Sequence, residues 1–465
     1  MSKLTPDSLT PDSLTRRSML SSAASAALVN SGTAATSPRP NIVIVIADQV
    51  RYDAVGAYGQ LPIDLTPNID ALARAGTLYR HAFIAQPVCS PSRASLFTGQ
   101  YPARHGVWRN TGNGVALNPS TPTIATELTK VGYSANYIGK WHLADGPAGP
   151  VAASARGGFL GLWEAANELE HTSHPYEGEL FDGDGRPIAF KDQYRVDFMT
   201  GRAKRFLENA SKANPFLLCV SFLEPHHQND MGRMVAPKGL AEKYKNPYVP
   251  PELRSFKGDF LEQLPDYYGC ISAVDTAIGE IVRSVPDNTI VVFLSDHGCH
   301  FKTRNTEYKR SGHDSSIRIP LIISGPGFSG GREIQSYTPT VNLMPMLLKA
   351  AGAPVPASCQ MSTTPNEIFV QMSEFWTARA LRTPEFTYVV AAPRTAQKYV
   401  PQPNAPRYNA FQLYDNRADP HQLVNLCGRQ ETASVELNLR ERLLARMSEA
   451  GDPPAEILPT PFPYC

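Results

Sequence analysis

Asn41-Ile-Val-Ile-Val-Ile-Ala47, running into Asp48-Gln49, is the stretch that decides the fold. An unbroken β-branched run without polar alternation fits a strand covered on both faces, as in a parallel sheet with helices on each side. A second such run, Thr289-Ile-Val-Val-Phe-Leu294, leads into Ser295-Asp296-His297-Gly298. Tyr133 to Gly139 leads into Lys140-Trp141-His142, and Phe216 to Phe222 into Glu224-Pro225-His226-His227. Each run delivers polar groups at its C-terminal end, where open α/β sheets hold their ligands. If the four strands share one parallel sheet, Asp48, Lys140, His142, His226, Asp296 and His297 meet at one edge.

Helix signals lie between these runs. Thr66-Pro67 opens a segment that stops at Gly76, Thr121-Pro122 one that stops at Gly132, and Thr338-Pro339 one that ends near Gly352. Threonine at the cap, proline at the first helical position and glycine past the end make each a helix, with Pro345 kinking the last. A longer helix runs from Pro265 to Val285, with Ile271, Val274, Ile278 and Ile281 at helical spacing. Strands alternating with helices predict a doubly wound, mostly parallel α/β sheet flanked by helices. From Gly146 to Lys191 periodicity fades, which predicts loops, equally consistent with the mouth of a site and with a plain surface excursion. Beyond about residue 360 come short strand-like pieces, Thr387 to Ala391 and Phe411 to Tyr414, and a helix from Thr432 to Ala450. The expected organisation is a leader and linker over 1–37, a catalytic α/β domain over 38–360 and a smaller α+β domain with an antiparallel sheet over 361–465.

At 465 residues the chain exceeds the size at which one core stops growing. A net charge of +1 gives no global field to attract nucleic acid, so any attraction for anions is local. The leader repeats Leu-Thr-Pro-Asp-Ser from Leu4 and Leu9, then carries Thr15-Arg16-Arg17-Ser18-Met19-Leu20 and an Ala/Ser-rich run to Val29. This pattern predicts a twin-arginine export signal, cleaved near Ala34-Ala35, with the twin-arginine export machinery as a partner and a periplasmic or secreted product. The run is too short and too polar to span a membrane permanently. With Cys89 set aside, Cys219, Cys270, Cys299, Cys359, Cys427 and Cys465 remain, and sequence cannot pair them.

Cys89-Ser-Pro-Ser-Arg93 precedes Ala94 to Thr98 and Gly99. Pro91 suits a first helical turn and Gly99 a stop, so Cys89 sits at a helix N-terminus with Arg93 one turn on. Free N–H groups and the helix dipole there favour an anion beside a nucleophile. Cys-x-Pro-x-Arg followed by Ala-Ser-Leu-Phe-Thr-Gly-Gln-Tyr-Pro-Ala-Arg-His-Gly resembles the signature of the type I sulfatases of the alkaline phosphatase-like superfamily. The resemblance extends through the segments ending at His142, His226 and Gly298 to Ser316-Ile-Arg-Ile-Pro320 and the late Leu413-Tyr-Asp415. It implies that Cys89 is converted to formylglycine by a formylglycine-generating enzyme, and that the hydrated aldehyde is the nucleophile.

Cleaving a sulfate ester requires a nucleophile, cations for the sulfate oxygens and an acid for the departing alkoxide. Asp48, Asp296 and an oxygen at residue 89 are hard ligands for calcium or magnesium, Gln49 can add a carbonyl oxygen, and His297 is a softer ligand. The resemblance implies that Asp48, Asp296 and His297 bind the ion and that Arg93 steadies the formylglycine. Lys140, His226 and Lys309 then hold sulfate or assist the leaving group, and His142 takes a proton as sulfate is eliminated. His105, His227, Arg304 and His313 flank the motifs and are candidates to line the substrate pocket; Trp108 and Trp163 can stack on a sugar or fill the core. Many members have two aspartates where this chain has Asp48-Gln49, a pairing also found in choline-sulfatase-like and phosphonate monoester hydrolase-like relatives. One less negative ligand opens the site to manganese. The expected activity is sulfate removal from a sulfated small molecule or glycan. Phosphonate monoester or phosphodiester hydrolysis, and an inactive protein that binds sulfated glycans, stay open as alternatives.

Overall fold

Alternate side chains of the Asn41–Asp48 strand enter two different cores, which is why the run is apolar at every position but its ends. Ile42, Ile44 and Ile46 join Phe97, Ile124, Leu128 and Leu347. Val43, Val45 and Ala47 join Ile69, Met199, Ile271 and Ile278. Each of the buried isoleucines and valines contributes about 2 kcal/mol by leaving water, so this strand anchors both layers. The structure, a computed structural model, describes residues 39–461 apart from 212, 363, 394–399 and 401. The export signal expected within 1–37 lies outside the described residues, as does Cys465.

Five parallel strands form the middle of an 11-stranded sheet, in the order Thr289–Ser295, Asn41–Asp48, Phe216–Pro225, Ser134–Lys140 and Trp163–Ala166. Ala47 pairs with Ser295 and Gly139 with Ser221, so the strands end along one edge. Leu321–Ser324 and Thr77–Tyr79 extend one side antiparallel, and the hairpin Glu177–Phe181 and Pro187–Lys191 extends the other. Helices Pro67–Ala75, Arg195–Asn209 and Phe260–Ser284 cover one face, and Cys89–Thr98, Ile124–Lys130 and Leu343–Ala350 the other. The chain thus forms the doubly wound, mostly parallel sheet that its sequence predicts.

Several element ends differ from expectation. Thr66 stands at the cap of Pro67–Ala75, but its hydroxyl donates to Asp70 Oδ1 at 3.1 Å and accepts from Gly56 N at 2.8 Å instead of capping. The next helix opens at Thr123, not Thr121, because Thr123 and Thr126 satisfy each other's backbone N–H groups reciprocally. Thr338-Pro339 pairs as a short strand with Ala82–Phe83, and the helix begins at Leu343. Pro345 therefore falls in the first turn, where no intrahelical N–H is required and the cause of a kink is absent. The long helix starts at Phe260, with Pro265 inside it. The stretch from Gly146 to Lys191 also holds the fifth parallel strand and the short helix Leu169–Thr172. Four residues are too few to display a period.

Toward the C-terminus, Ile368–Met372, Ala378–Arg382, Phe386–Ala391 and Arg407–Asp415 pair antiparallel, and Glu456–Leu458 adds a parallel edge. Leu439, Leu443 and Met447 of helix Ala433–Ala450 pack on this second sheet. Cys89, Cys219, Cys270, Cys299, Cys359 and Cys427 are free thiols. No helix among the described residues is long and apolar enough to cross a membrane.

Candidate active site

Cys89 opens the helix Cys89–Thr98, which Gly99 closes with φ 65°. Ser92 Oγ donates to Asp296 O at 2.5 Å, pinning the first turn to the end of the Thr289–Ser295 strand. Gly298 completes that corner, because a Cβ there would lie 2.1 Å from Ser315 O. Cys89 is 1% exposed. Around its Sγ stand Lys309 Nζ at 3.1 Å, His297 Nε2 at 3.3 Å, Asp48 Oδ2 at 3.6 Å and Lys140 Nζ at 3.8 Å. Burial and the Asp48 charge oppose ionisation, but Lys140, Lys309 and His297 outweigh them and hold the thiol well below its usual range. The position is electropositive enough to hold an anion.

Arg93 is fully buried and ties four neighbouring strands of the sheet together. Its Nε donates to Asp296 Oδ2 at 3.0 Å and Nη2 to Asp48 Oδ2 at 3.4 Å, while Nη1 donates to Lys140 O at 3.1 Å and Ser221 Oγ at 2.6 Å. Lys140 Nζ donates to Asp48 Oδ2 at 2.8 Å and Glu170 Oε1 at 2.9 Å. Burial disfavours the Lys140 charge, yet Asp48, Cys89 and Glu170 keep it above the usual lysine range. Lys309 Nζ reaches His297 Nε2 at 2.9 Å and His226 Nε2 at 3.2 Å. The second nitrogen of His226 is 2.7 Å from His227 O, which fixes the ring.

Asp48, Cys89, Asp296 and His297 offer ligand atoms that all lie within 4.8 Å of one another. Burial works against Asp48, but Lys140 and His226 hold it below the carboxylate range; burial and the charge of Asp48 push Asp296 up. Two buried carboxylates converging on one point, both held by Arg93 and one also by Lys140, are hard ligands of the kind a divalent ion takes. Gln49 Oε1 is buried without a hydrogen-bond partner, while Nε2 donates to Cys299 Sγ at 3.4 Å. Gln49 is held at φ 78° and its N–H donates to Asp296 Oδ1 at 3.2 Å. A left-handed residue other than glycine costs about 1–3 kcal/mol and is retained where the surroundings over-determine it. An orphaned amide oxygen, two carboxylates and an imidazole fit calcium, magnesium or manganese.

Distances thus bring together Asp48, Cys89, Arg93, Lys140, His226, Asp296, His297 and Lys309. His142 leaves its strand at φ 57°, donates its N–H to Asn167 O at 2.7 Å, and has a buried, unpartnered Nδ1. His227 stacks on His226 and Tyr308 at centroid distances of 4.3 and 4.7 Å, and burial pushes it down to about 2. The other flanking residues are held elsewhere. His105 uses both ring nitrogens, on Ser95 Oγ at 3.0 Å and Val107 N at 3.1 Å. Arg304 is occupied by Glu252 and the backbone oxygens of His421 and Gln422, and His313 by Tyr414 Oη at 3.0 Å. Arg304 and His313 line a cavity of about 550 Å³ together with Trp376 and Phe411. Trp163 packs in the core against Tyr137 and Trp141, whereas Trp108 lies beneath the Arg109 guanidinium. Two residues at the site escape sequence reasoning. Ser221, the one hydroxyl in its strand run, leaves a faint signal; Glu170, in the aperiodic stretch, leaves none.

A family model described as Sulfatase matches residues 40–353. An ulvan-active sulfatase of Formosa agariphila is 29% identical over 452 residues, covering 89% of this chain and 82% of that protein. The N-acetylglucosamine-6-O-sulfatase of Bacteroides thetaiotaomicron is 24% identical over 498 residues, covering 87% and 86%. The crystal structure of yidJ from Bacteroides fragilis superposes with a TM-score of 0.76 at 25% identity, covering 90% of this chain and 97% of that one.

Proposed function

The chain belongs to the sulfatase family, and from that premise we propose that this sulfuric ester hydrolase removes sulfate from a sulfated carbohydrate by a formylglycine made from Cys89. The observation that carries the reading is the ring of Lys309, His297, Asp48 and Lys140 within 3.1–3.8 Å of Cys89 Sγ, two cations facing a metal donor set across one atom. When bound, the divalent ion supplies charge to sulfate oxygens and the formylglycine hydrate supplies the attacking oxygen.

The chain's own residues do the rest. Asp48, Gln49, Asp296 and His297 hold the ion, and Arg93 keeps the two carboxylates in place. Lys140 and Lys309 present ammonium groups to the sulfate oxygens, each a buried point charge that water does not screen. His226 Nε2, beside Lys309 Nζ, delivers a proton to the departing alkoxide oxygen. His142, with its unpartnered Nδ1, accepts a proton from residue 89 as sulfate leaves. The Arg16-Arg17 leader supports export to the periplasm or beyond. The names of the ulvan-active and N-acetylglucosamine-6-O sulfatases support a glycan substrate.

Mass spectrometry of the tryptic peptide His81 to Arg93 should show the aldehyde or its hydrate at residue 89, and Cys89→Ala should release no sulfate from sulfated sugars. Undiminished release by that variant refutes the reading. Gln49, which brings a neutral oxygen where many relatives bring a second carboxylate, favours phosphodiester hydrolysis as the second reading. Side-by-side turnover of an aryl sulfate and an aryl phosphodiester separates the two.

A further inference from the structure

Glu170 belongs to no motif. Its side chain is almost wholly buried; Oε1 accepts one hydrogen bond, from Lys140 Nζ at 2.9 Å, and Oε2 is buried without a partner. The short helix that carries it is fastened by Gln228 Nε2, which donates to Glu170 O and to Ser173 O at 2.9 Å each. Gln228 lies two residues beyond His226, so one clamp sets the Lys140 side of the site against the His226 side. Burial disfavours the Glu170 charge, but Lys140, His142 and His226 overcome it and bring the carboxyl down to about 2.

We propose that Glu170 is a positioning residue that anchors the Lys140 ammonium against the sulfate. The proposal rests on the sulfatase reading of the site. Lys140 has two anionic partners, and they are not equivalent. Asp48 is shared with Arg93 at 3.4 Å and His297 at 3.2 Å and belongs to the metal donor set, so its charge is committed to other cations. Glu170 has Lys140 as its single side-chain hydrogen-bond partner among the described residues, with His142 and His226 acting on it only at longer range. A lysine is a compact charge on a four-carbon stem, and only a fixed counter-charge holds it in one direction. A purely architectural role explains little, because a buried carboxylate with an orphaned oxygen is destabilising by itself.

The same negative charge also repels the sulfate that Lys140 attracts. Removing it has two effects of opposite sign: the anion binds more tightly, and turnover falls because Lys140 loses its direction. A residue that merely supports the fold does not separate these quantities.

The test uses the full chain, as wild type, Glu170→Gln and Glu170→Asp, with conversion of residue 89 matched by mass spectrometry. Three quantities are read: kcat and KM for an aryl sulfate, product inhibition by inorganic sulfate, and the rise in melting temperature that inorganic sulfate produces. Glu170→Gln should lower kcat about 10-fold or more while tightening sulfate about 10-fold, as loss of one nearby buried charge dictates. Glu170→Asp keeps the charge, should leave sulfate affinity near wild type, and should recover part of kcat. The proposal is overturned if Glu170→Gln leaves both quantities within about twofold of wild type, or if both worsen together with a lowered melting temperature. The melting shift reads the sulfate site without turnover, so failure of the sulfatase reading, seen as activity surviving Cys89→Ala, is a different result.

Discussion

Replacing Lys309 with methionine removes one positive charge and keeps most of the stem. Lys309 Nζ lies 3.1 Å from Cys89 Sγ, so a sulfate oxygen carried to that position comes within about 4 Å of the ammonium. At an effective dielectric constant of about 20, unit charges at that separation interact by about 4 kcal/mol. Lys309 is 3% exposed, so solvent screens little of this. At about 1.4 kcal/mol per decade, Lys309→Met should lose about 10³-fold in kcat/KM. The assay is initial-rate hydrolysis of an aryl sulfate, with residue 89 conversion and circular dichroism matched to wild type. The loss should be nearly independent of ionic strength. Lys309→Arg should not rescue, because the guanidinium fork does not fit between His226 Nε2 and His297 Nε2, which lie 3.2 and 2.9 Å from the present nitrogen. A folded, fully converted Lys309→Met enzyme that loses less than about 10-fold would refute the electrostatic argument.

Chelation should lower the melting temperature, and added calcium should restore it, since an ion at 100 times its dissociation constant stabilises by about 2.7 kcal/mol. Gln49→Ala should weaken that restoration; an unchanged calcium titration removes Gln49 from the ligand set. Acid stability is a further check. His300 is buried and neutral, with its pKa pushed down to about 4 by burial, against an ordinary value of 6.5. Between those values the unfolded chain binds more protons than the folded one, so stability present above pH 6.5 is lost as pH falls toward 4, by about 3 kcal/mol. The urea midpoint of His300→Gln should therefore change less over that window, and an identical slope in both proteins would count against the assignment.

The first and fourth strands, with Asp48 and Asp296 at their ends, were readable because a strand buried on both faces is apolar and its closing polar residue marks the edge; the two strands leading to Lys140 and His226 gave a weaker signal, since Asn136 and Ser221 interrupt them. The placement of Cys89 and Arg93 on one short helix was readable because Pro91 and Gly99 frame it. What stayed hidden depends on tertiary contact. Whether Thr121 or Thr123 caps a helix depends on which hydroxyl finds a partner, and Thr123 finds Thr126 N and Gly157 O. Glu170 makes sense only once a four-residue strand has placed its helix beside Lys140. Arg304 and His313 lie close in sequence to Lys309, yet Glu252 and Tyr414 draw them elsewhere.

The place of the first strand between Phe216–Pro225 and Thr289–Ser295 also bears on how the protein is made. Residues 41–47 leave the ribosome long before the second of those neighbours exists. At translation rates of about 5–20 residues per second, the delay is roughly 12–50 seconds. Until Phe216–Pro225 emerges both edges of this uncharged β-branched segment are open, and one edge stays open for the rest of the delay, a template for pairing with another nascent chain. Yield in a heterologous host should depend on chaperone supply and on slow, cool expression more than on the stability of the finished protein.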